Sequence, residues 1–303
     1  MIQNNSITVF TPTYNRAYLL PVLYDSLCTQ TCKDFVWLVI DDGSSDDTES
    51  LVKGWIDEKK VKIQYHYQEN GGMVDAHNTA HHIMETDLCV CIDSDDYMPN
   101  NAIERILTLW KLHGYEECAG IVGLDAYKNG KIVGTKLPNI NEAKFSELYV
   151  NYKVTGDKKF IHNRKVFNQY LPYPFFANEK FPITSYLYLL IEQKHKLLLF
   201  NEVFCIVEYF PDGLSNNLIK QYRESPKSFA FYRIAKMKYA LNYKERFRNA
   251  IHYVSSSIMS KNINFLKETP YKWTTFLALP FGVLLCLYIN YTTNQKVNKK
   301  LNK

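Results

Sequence analysis

Four short strand-like runs in the first hundred residues, one of them alternating, each stop in a polar cluster, and this recurrence constrains the fold more than any other feature. The runs are Ile7 to Thr11, Phe35 to Ile40, Val61 to Gln68 and Leu88 to Ile92. They lead into Pro12 to Arg16, Asp41 to Ser44, Gln68 to Gly72 and Asp93 to Asp96. Helical signals lie between them, over 17–30, from Asp46, from Gly72 through Glu85, and from Pro99 to about Leu112. Strands alternating with helices predict an α/β chain built on a parallel sheet. Ligands of such sheets bind beyond the carboxyl ends of the strands, where all four clusters would fall. A further strand is expected over Ala119–Leu124, a hairpin at Lys128–Lys131, a helix over Ile183–Gln193 and strands within Leu197–Glu208.

The sharpest cluster is Asp93-Ser94-Asp95-Asp96. Three carboxylates in four positions cannot face a core, because burying unpaired charge costs more than packing returns. At the end of a buried strand they can meet a hard cation. Mg²⁺ and Mn²⁺ take oxygen ligands, typically one or two carboxylates plus substrate phosphates. A polar turn with a helix cap explains the tetrapeptide taken alone equally well. Asn70, Gly71 and Gly72 allow backbone to approach a ligand before a helix begins. Asp75 and Asn78 lie within one turn of that helix, and Arg16 can offer paired donors to a phosphate or ribose. His77 and His81 have the i, i+4 spacing of zinc ligands, but no third ligand accompanies them, so they read as exposed polar residues.

Hydrophobic residues make up 46% of the 303, enough to exclude a wholly disordered chain. The seven cysteines form no disulfide framework, and a reducing cytosol is expected. Cys28 and Cys32 lie about a helical turn apart, while Cys89 and Cys91 sit in a buried strand as small apolar residues. Met1–Asn5 is polar and does not read as a signal peptide. Charge is unevenly spread. Residues 1–217 hold 20 Lys and Arg against 28 Asp and Glu, a net −8, whereas 218–303 hold 16 against 3, a net +13. The basic, aromatic-rich stretch from Ile219 to Tyr253 reads as helical, and 274–295 carries no charge. Phe276–Ile289 is short for a span of roughly 20 residues and contains Pro280 and Gly282. An interfacial or re-entrant segment flanked by Lys272 and Lys296, lying on an anionic membrane surface, is therefore expected. A nucleic-acid surface has no use for an uncharged stretch, so no nucleic-acid partner is expected; an aromatic-rich tail could pair with itself as a homodimer.

Taken together, FTPTYNR (10–16), VIDDGSSDDT (39–48), QENGGMVDAHNTA (68–80) and CIDSDDYMP (91–99) resemble the family 2 glycosyltransferases of the GT-A fold. The resemblance covers about residues 5–215, is strongest over the first 125, and includes a late GLS-type loop, YFPDGLSNN (209–217). It implies a Rossmann-like nucleotide-binding sheet with helices on both faces, plus a helical C-terminal extension. A catalytic domain over 1–217 would divide into a nucleotide-sugar half, about 1–125, and an acceptor half, about 126–217. Residues 218–303 would be the membrane-associating extension. Such enzymes move a sugar from a nucleotide-sugar to an acceptor hydroxyl, and many build bacterial surface polysaccharides. The expectation here is a metal-dependent inverting transfer, with Mn²⁺ or Mg²⁺, to a lipid-linked saccharide at the cytoplasmic face of the plasma membrane.

The resemblance also assigns residues. Pro12, Tyr14 and Asp42 would hold the base, and an Asp can accept the N–H of a uracil, which favours a UDP-sugar. Arg16, Asn70, Gly71, Gly72, Asp75, Asn78 and Ser94 join the nucleotide-sugar contacts. Asp93 and Asp95 form the DXD motif, with Asp95 as metal ligand and Asp93 toward the ribose and a metal-bound water; whether Asp96 takes the metal role stays open. Many relatives carry Lys where this chain has Met73. An inverting transfer also needs a carboxylate base. In relatives an acid opens a helix after an EKF-like segment, but here Ala177–Ser185 puts Thr184 in that place. Glu179 is the nearest candidate, followed by Asp212. The departures at Met73 and Thr184 leave a second reading, a weak or inactive nucleotide-sugar-binding partner of another transferase.

Overall fold

The computed structural model describes residues 6–179, 184–208 and 218–301, with side chains as far as Asn294. In chain order the elements are β1 (Ile7–Thr13), α1 (Leu20–Cys28), β2 (Phe35–Asp41), α2 (Thr48–Glu58), β3 (Ile63–Tyr67), α3 (Met73–Ile83), β4 (Leu88–Cys91) and α4 (Ala102–His113). There follow β5 (Gly120–Ala126), β6 (Glu142–Ala143), α5 (Phe145–Val150), β7 (Lys158–Asn163), α6 (Arg164–Phe167), α7 (Thr184–Ile191) and β8 (Leu197–Ile206). The last helices are α8 (Leu218–Glu224), α9 (Pro226–Lys238), α10 (Tyr243–Met259), α11 (Phe265–Glu268) and α12 (Lys272–Leu301). The chain divides into two compact units, Met1–Pro172 with Leu190–Glu208, and Tyr173–Leu189 with Tyr209–Lys303.

The first unit holds one sheet of eight strands in the order β3-β2-β1-β4-β7-β5-β8-β6. β3, β2, β1 and β4 are mutually parallel, as the four strand-like runs predict. β7 runs antiparallel to both β4 and β5, so its first residues, rather than its last, reach the edge where the other strands end. Central strands are covered on both faces, which is why β1 and β2 read as nearly continuous apolar runs. Ile7, Val9, Trp37, Val39 and Val90 pack on one face with Leu23, Val52 and Ile106. Phe10, Leu38, Ile40 and Cys89 pack on the other with Ala76, Ala80 and Met84. Tyr24 stacks on Trp55 at 4.3 Å between ring centres, and the Trp37 indole donates to Thr11 Oγ1 at 3.0 Å.

Several boundaries differ from expectation for local reasons. α1 begins at Leu20, with Pro21 in its first turn, because 17–19 form a separate turn. Asp46 stays outside α2, where its carboxylate accepts from the Ala17 and Thr48 amides at 3.0 and 3.1 Å. The turn at Lys128–Lys131 forms, with Gly130 at φ +81°, but it closes on an isolated Ala126–Ile132 bridge instead of a second strand.

In the second unit, the basic stretch expected as one helical region is three helices, broken at Pro226 and again over 239–242. Asn242 caps α10 by accepting from the Glu245 amide at 2.9 Å. Met237, Ala250, Tyr253, Val254 and Ala278 form a local core. α12 corrects the expectation of an interrupted segment: it continues unbroken through Pro280 and Gly282. A Cβ on Gly282 would lie 2.4 Å from Val254 Cγ1, so this glycine permits close packing of α12 on α10 rather than breaking the helix. Its 23-residue stretch Lys272–Asn294 is long and apolar enough to cross a membrane, with only 28% of its most apolar window buried. Trp273, Phe276, Leu277, Leu284, Leu287 and Tyr288 are exposed along it.

Candidate active site

The strand order sets the loops after β2, β1 and β4 side by side, and polar bonds fix their positions. Asp41, at the end of β2, accepts from the Ser44 amide at 2.8 Å and the Tyr65 hydroxyl at 2.6 Å. Gly43 (φ +83°) follows in a conformation that favours glycine, and a Cβ there would lie 2.8 Å from Asn70 N. That close approach lets Asp42 reach the next loop. Its Oδ1 accepts from Gln68 Nε2 at 2.8 Å and the Gly71 amide at 2.9 Å, while Oδ2 accepts from the Gly72 amide at 2.8 Å. Gln68 Nε2 also donates to Asp75 at 3.0 Å. Asp42 is thus buried and employed as the clasp of the Asn70–Gly72 loop. Asn15 (φ +52°) ties in the β1 loop, donating its amide to Ser44 Oγ at 2.9 Å and accepting from the Ser45 amide at 2.8 Å. Tyr14, at its tip, leaves half its surface open to a ligand.

Beyond β4, the three acids differ in environment. Asp93 is exposed, and Ser94 is buried. Asp95 is partly buried and pairs with Arg16 Nη1 at 3.1 Å, so the first and fourth motifs meet directly. Burial, followed by the neighbouring Asp93 carboxylate, raises the pKa of Asp95. Two carboxylates that repel each other at a strand end are an oxygen donor set suited to a hard divalent cation, which would relieve that repulsion. Asp96 lies under the loop. Its carboxylate takes the Glu208 amide at 3.4 Å and the Cys205 thiol at 3.7 Å, with Lys159 Nζ at 4.0 Å.

This underlayer is the part that the sequence reading missed. Burial pushes the Asp96 pKa up to about 7, against the pull of Lys159. Asp125, at the end of β5, is buried and likewise raised by burial. Burial alone would lower Lys159, but Cys205, Asp125, Asp96 and Asp93 together hold it well above the usual lysine range. The ammonium is therefore a fixed counterion under the acidic loop. The available signal was Asp125, an acid closing an apolar strand just as Asp93 does. Lys159 carried none, because only the reversed direction of β7 brings it to this edge.

Other expected residues fall in different places. Asp75 and Asn78 are half-buried on α3. His77 and His81 are not exposed, as their spacing suggested, but buried against Phe10, with ring centres 5.2 and 5.4 Å from it. They occupy the sheet-facing side of α3. Glu179 lies in the second unit, where its two oxygens accept from the Lys227 and Ser228 amides at 2.9 and 2.6 Å, at the start of α9. Thr184 opens α7. Asp212, with the whole 209–217 loop, lies outside the described residues, as do residues 180–183 of the EKF-like segment.

The family model described as "Glycosyl transferase family 2" matches residues 8–171, more than half of the chain. The chain belongs to glycosyl transferase family 2. A stretch of 106 residues is 34% identical to the glycosyltransferase GlyA of Streptococcus pneumoniae, covering 35% of this chain and 15% of that protein. Another of 159 residues is 23% identical to the glycosyltransferase EpsJ of Bacillus subtilis, covering 52% of this chain and 44% of the relative. The chain therefore spans less than half the length of these curated relatives. Among solved structures, residues 1–349 of TarS from S. aureus superpose with a TM-score of 0.62 at 14% identity, covering 96% of this chain and 92% of that one. The mannosyltransferase PcManGT from Pyrobaculum calidifontis gives 0.55 at 17% identity, covering 93% and 87%. Family 2 membership and these neighbours establish the fold as GT-A with an appended helical region.

Proposed function

We propose that this family 2 protein is a divalent-cation-dependent, inverting glycosyltransferase that moves a sugar from a UDP-sugar to a hydroxyl of a lipid-linked saccharide. The observation that carries the reading is the Asp93–Asp95 pair, whose Asp95 bonds Arg16 of the β1 loop, itself tied by Asn15 to the β2 loop. TarS has been solved with UDP-GlcNAc and PcManGT with GDP-Man and Mn²⁺, which supports a nucleotide-sugar donor and a metal. A cation bound to Asp95 and Asp93 would neutralise the negative charge that builds on the departing diphosphate. Arg16 steadies Asp95 and offers its remaining donors to phosphate or ribose. The exposed Tyr14 ring and Pro12 flank the base, and the Gly71–Gly72 backbone leaves room for the donor above α3. Donor chemistry belongs to residues 1–125, the acceptor to 126–217, and 218–303 holds the protein at the cytoplasmic membrane face.

The test is nucleotide release from UDP-, GDP- and dTDP-sugars with and without Mn²⁺. Turnover should be greatest with a UDP-sugar and Mn²⁺, and Asp95→Ala should lower it about 10²–10³-fold. Turnover that survives both the substitution and a chelator refutes the metal role. For the base, Glu179 is the proposed carboxylate; each of its oxygens already accepts one α9 amide and keeps a second lone pair. Those amide bonds are the specific observation favouring a second reading, a nucleotide-sugar-binding partner without turnover of its own. UDP binding without nucleotide release from any donor would select that reading.

A further inference from the structure

On the face of β4 opposite the Val90 side chain, the chain gathers nitrogen and sulfur donors from three elements. Cys89 on β4 and His162 on β7 are direct partners in the antiparallel register, so their side chains share a face, and Cys89 Sγ lies 3.9 Å from His162 Nδ1. His81 reaches the same point from α3, and ligand atoms of all three lie within 4.8 Å of one another. The next donors along the same elements, Cys91 and His77, approach each other at 3.9 Å. We propose that His81, Cys89 and His162 form a zinc site, with the fourth corner open to Cys91 or His77.

Zn²⁺ bonds of about 2.0–2.1 Å to nitrogen and 2.3 Å to sulfur place neighbouring ligand atoms roughly 3.3–3.8 Å apart. The three atoms therefore need to close by up to about 1.5 Å to hold the ion tetrahedrally. The donors suit zinc and not the cation of the acidic loop, since imidazole and thiolate are softer than carboxylate. Burial keeps the rings in their neutral, ligating form, pushing His162 down to about 3, and holds the Cys89 thiol protonated, up to about 12. Binding thus breaks the S–H bond as the Zn–S bond forms, and the proton leaves to solvent. β4 also carries Asp93 and Asp95 just beyond its end, so zinc would pin α3, β4 and β7 together beneath them. This inference does not depend on the proposed reaction.

The full-length protein, stripped with chelator and dialysed, is titrated with zinc and, separately, cobalt. Expected are about one zinc retained per chain, release of about one proton on binding, and a thermal midpoint raised by about 5–10 °C. Cobalt should give an intense thiolate-to-metal absorption that persists in the Asp93→Asn/Asp95→Asn double variant and disappears in Cys89→Ser. Should Cys89→Ser fail to fold, loss of the cobalt band in His162→Asn replaces that arm. Absence of the cobalt band in the unaltered protein, or a band lost only with the acidic residues, overturns the proposal.

Discussion

Among single side chains, the Arg16–Asp95 pair separates a role in binding from a role in stability. Both members are partly exposed, so water screens the pair and it contributes at most about 1 kcal/mol to folding. Arg16→Met should therefore leave the thermal midpoint within about 3 °C while weakening UDP binding about tenfold, as calorimetry would show. A large stability loss with intact binding would reverse the assignment. Gly71 has the opposite character. A Cβ there would fall 2.3 Å from Asp75 Oδ2, so Gly71→Ala must displace Asp75 or the amides that Asp42 holds. The expected result is a loss of about 1–3 kcal/mol in urea unfolding, together with impaired UDP binding. The buried imidazoles set an acid limit. Burial pushes His77 to about 4 and His162 to about 3, below the unfolded value of 6.5. The unfolded chain therefore takes up these protons first. The stability that each neutral ring represents, on the order of 3 kcal/mol for His77 and about 5 kcal/mol for His162, is complete above about pH 6.5 and disappears as pH falls toward 4 and 3 respectively. Urea midpoints should fall steeply across that window, and His77→Phe should flatten the slope; an unchanged slope would break the link.

Among the elements, α12 shows how tertiary packing overrides local preference. Proline within a helix costs about 3 kcal/mol, and proline with glycine nearby reads as an interruption. Contact with α10 reverses that reading, because Gly282 lets the helix lie directly on Val254. Gly282→Val should cost about 1–3 kcal/mol in thermal or urea unfolding. If stability holds, the close contact is not what keeps α12 continuous. β1, β2 and β4 were legible in sequence because burial on both faces writes a nearly continuous apolar run into each, β3 was legible by its alternation, and the turn residues mark where each strand stops. His77 and His81 were legible only as a spacing. Their burial follows from packing against Phe10, which arrives on a strand that the helix itself says nothing about. The sequence singled out Asp42 as a candidate, but not as a clasp, since its partners are the Gln68 side chain and two backbone amides of a later loop. Asp125 and Lys159 stayed hidden because local pattern cannot reveal that β7 runs against its neighbours.

Over the whole chain, charge is segregated by sequence, net −8 through residue 217 and +13 beyond it. An anionic membrane attracts basic segments by about 1 kcal/mol per lysine or arginine near its surface, and salt screens that attraction. Together with the exposed apolar side of α12, this yields a prediction in two parts. The full chain should co-sediment with anionic vesicles and lose part of that binding in high salt, whereas deleting 272–303 should abolish most of it. Equal sedimentation of the two forms would remove the proposed anchor. The reversed direction of β7 has a consequence for anyone who recombines such enzymes. A chimera joined near residue 125 would inherit all four strand-end motifs yet receive its Lys159 equivalent from a foreign parent. Asp96 would then be left facing whatever that parent supplies, so crossover points are safer placed after Asn163 than directly after the 91–99 motif.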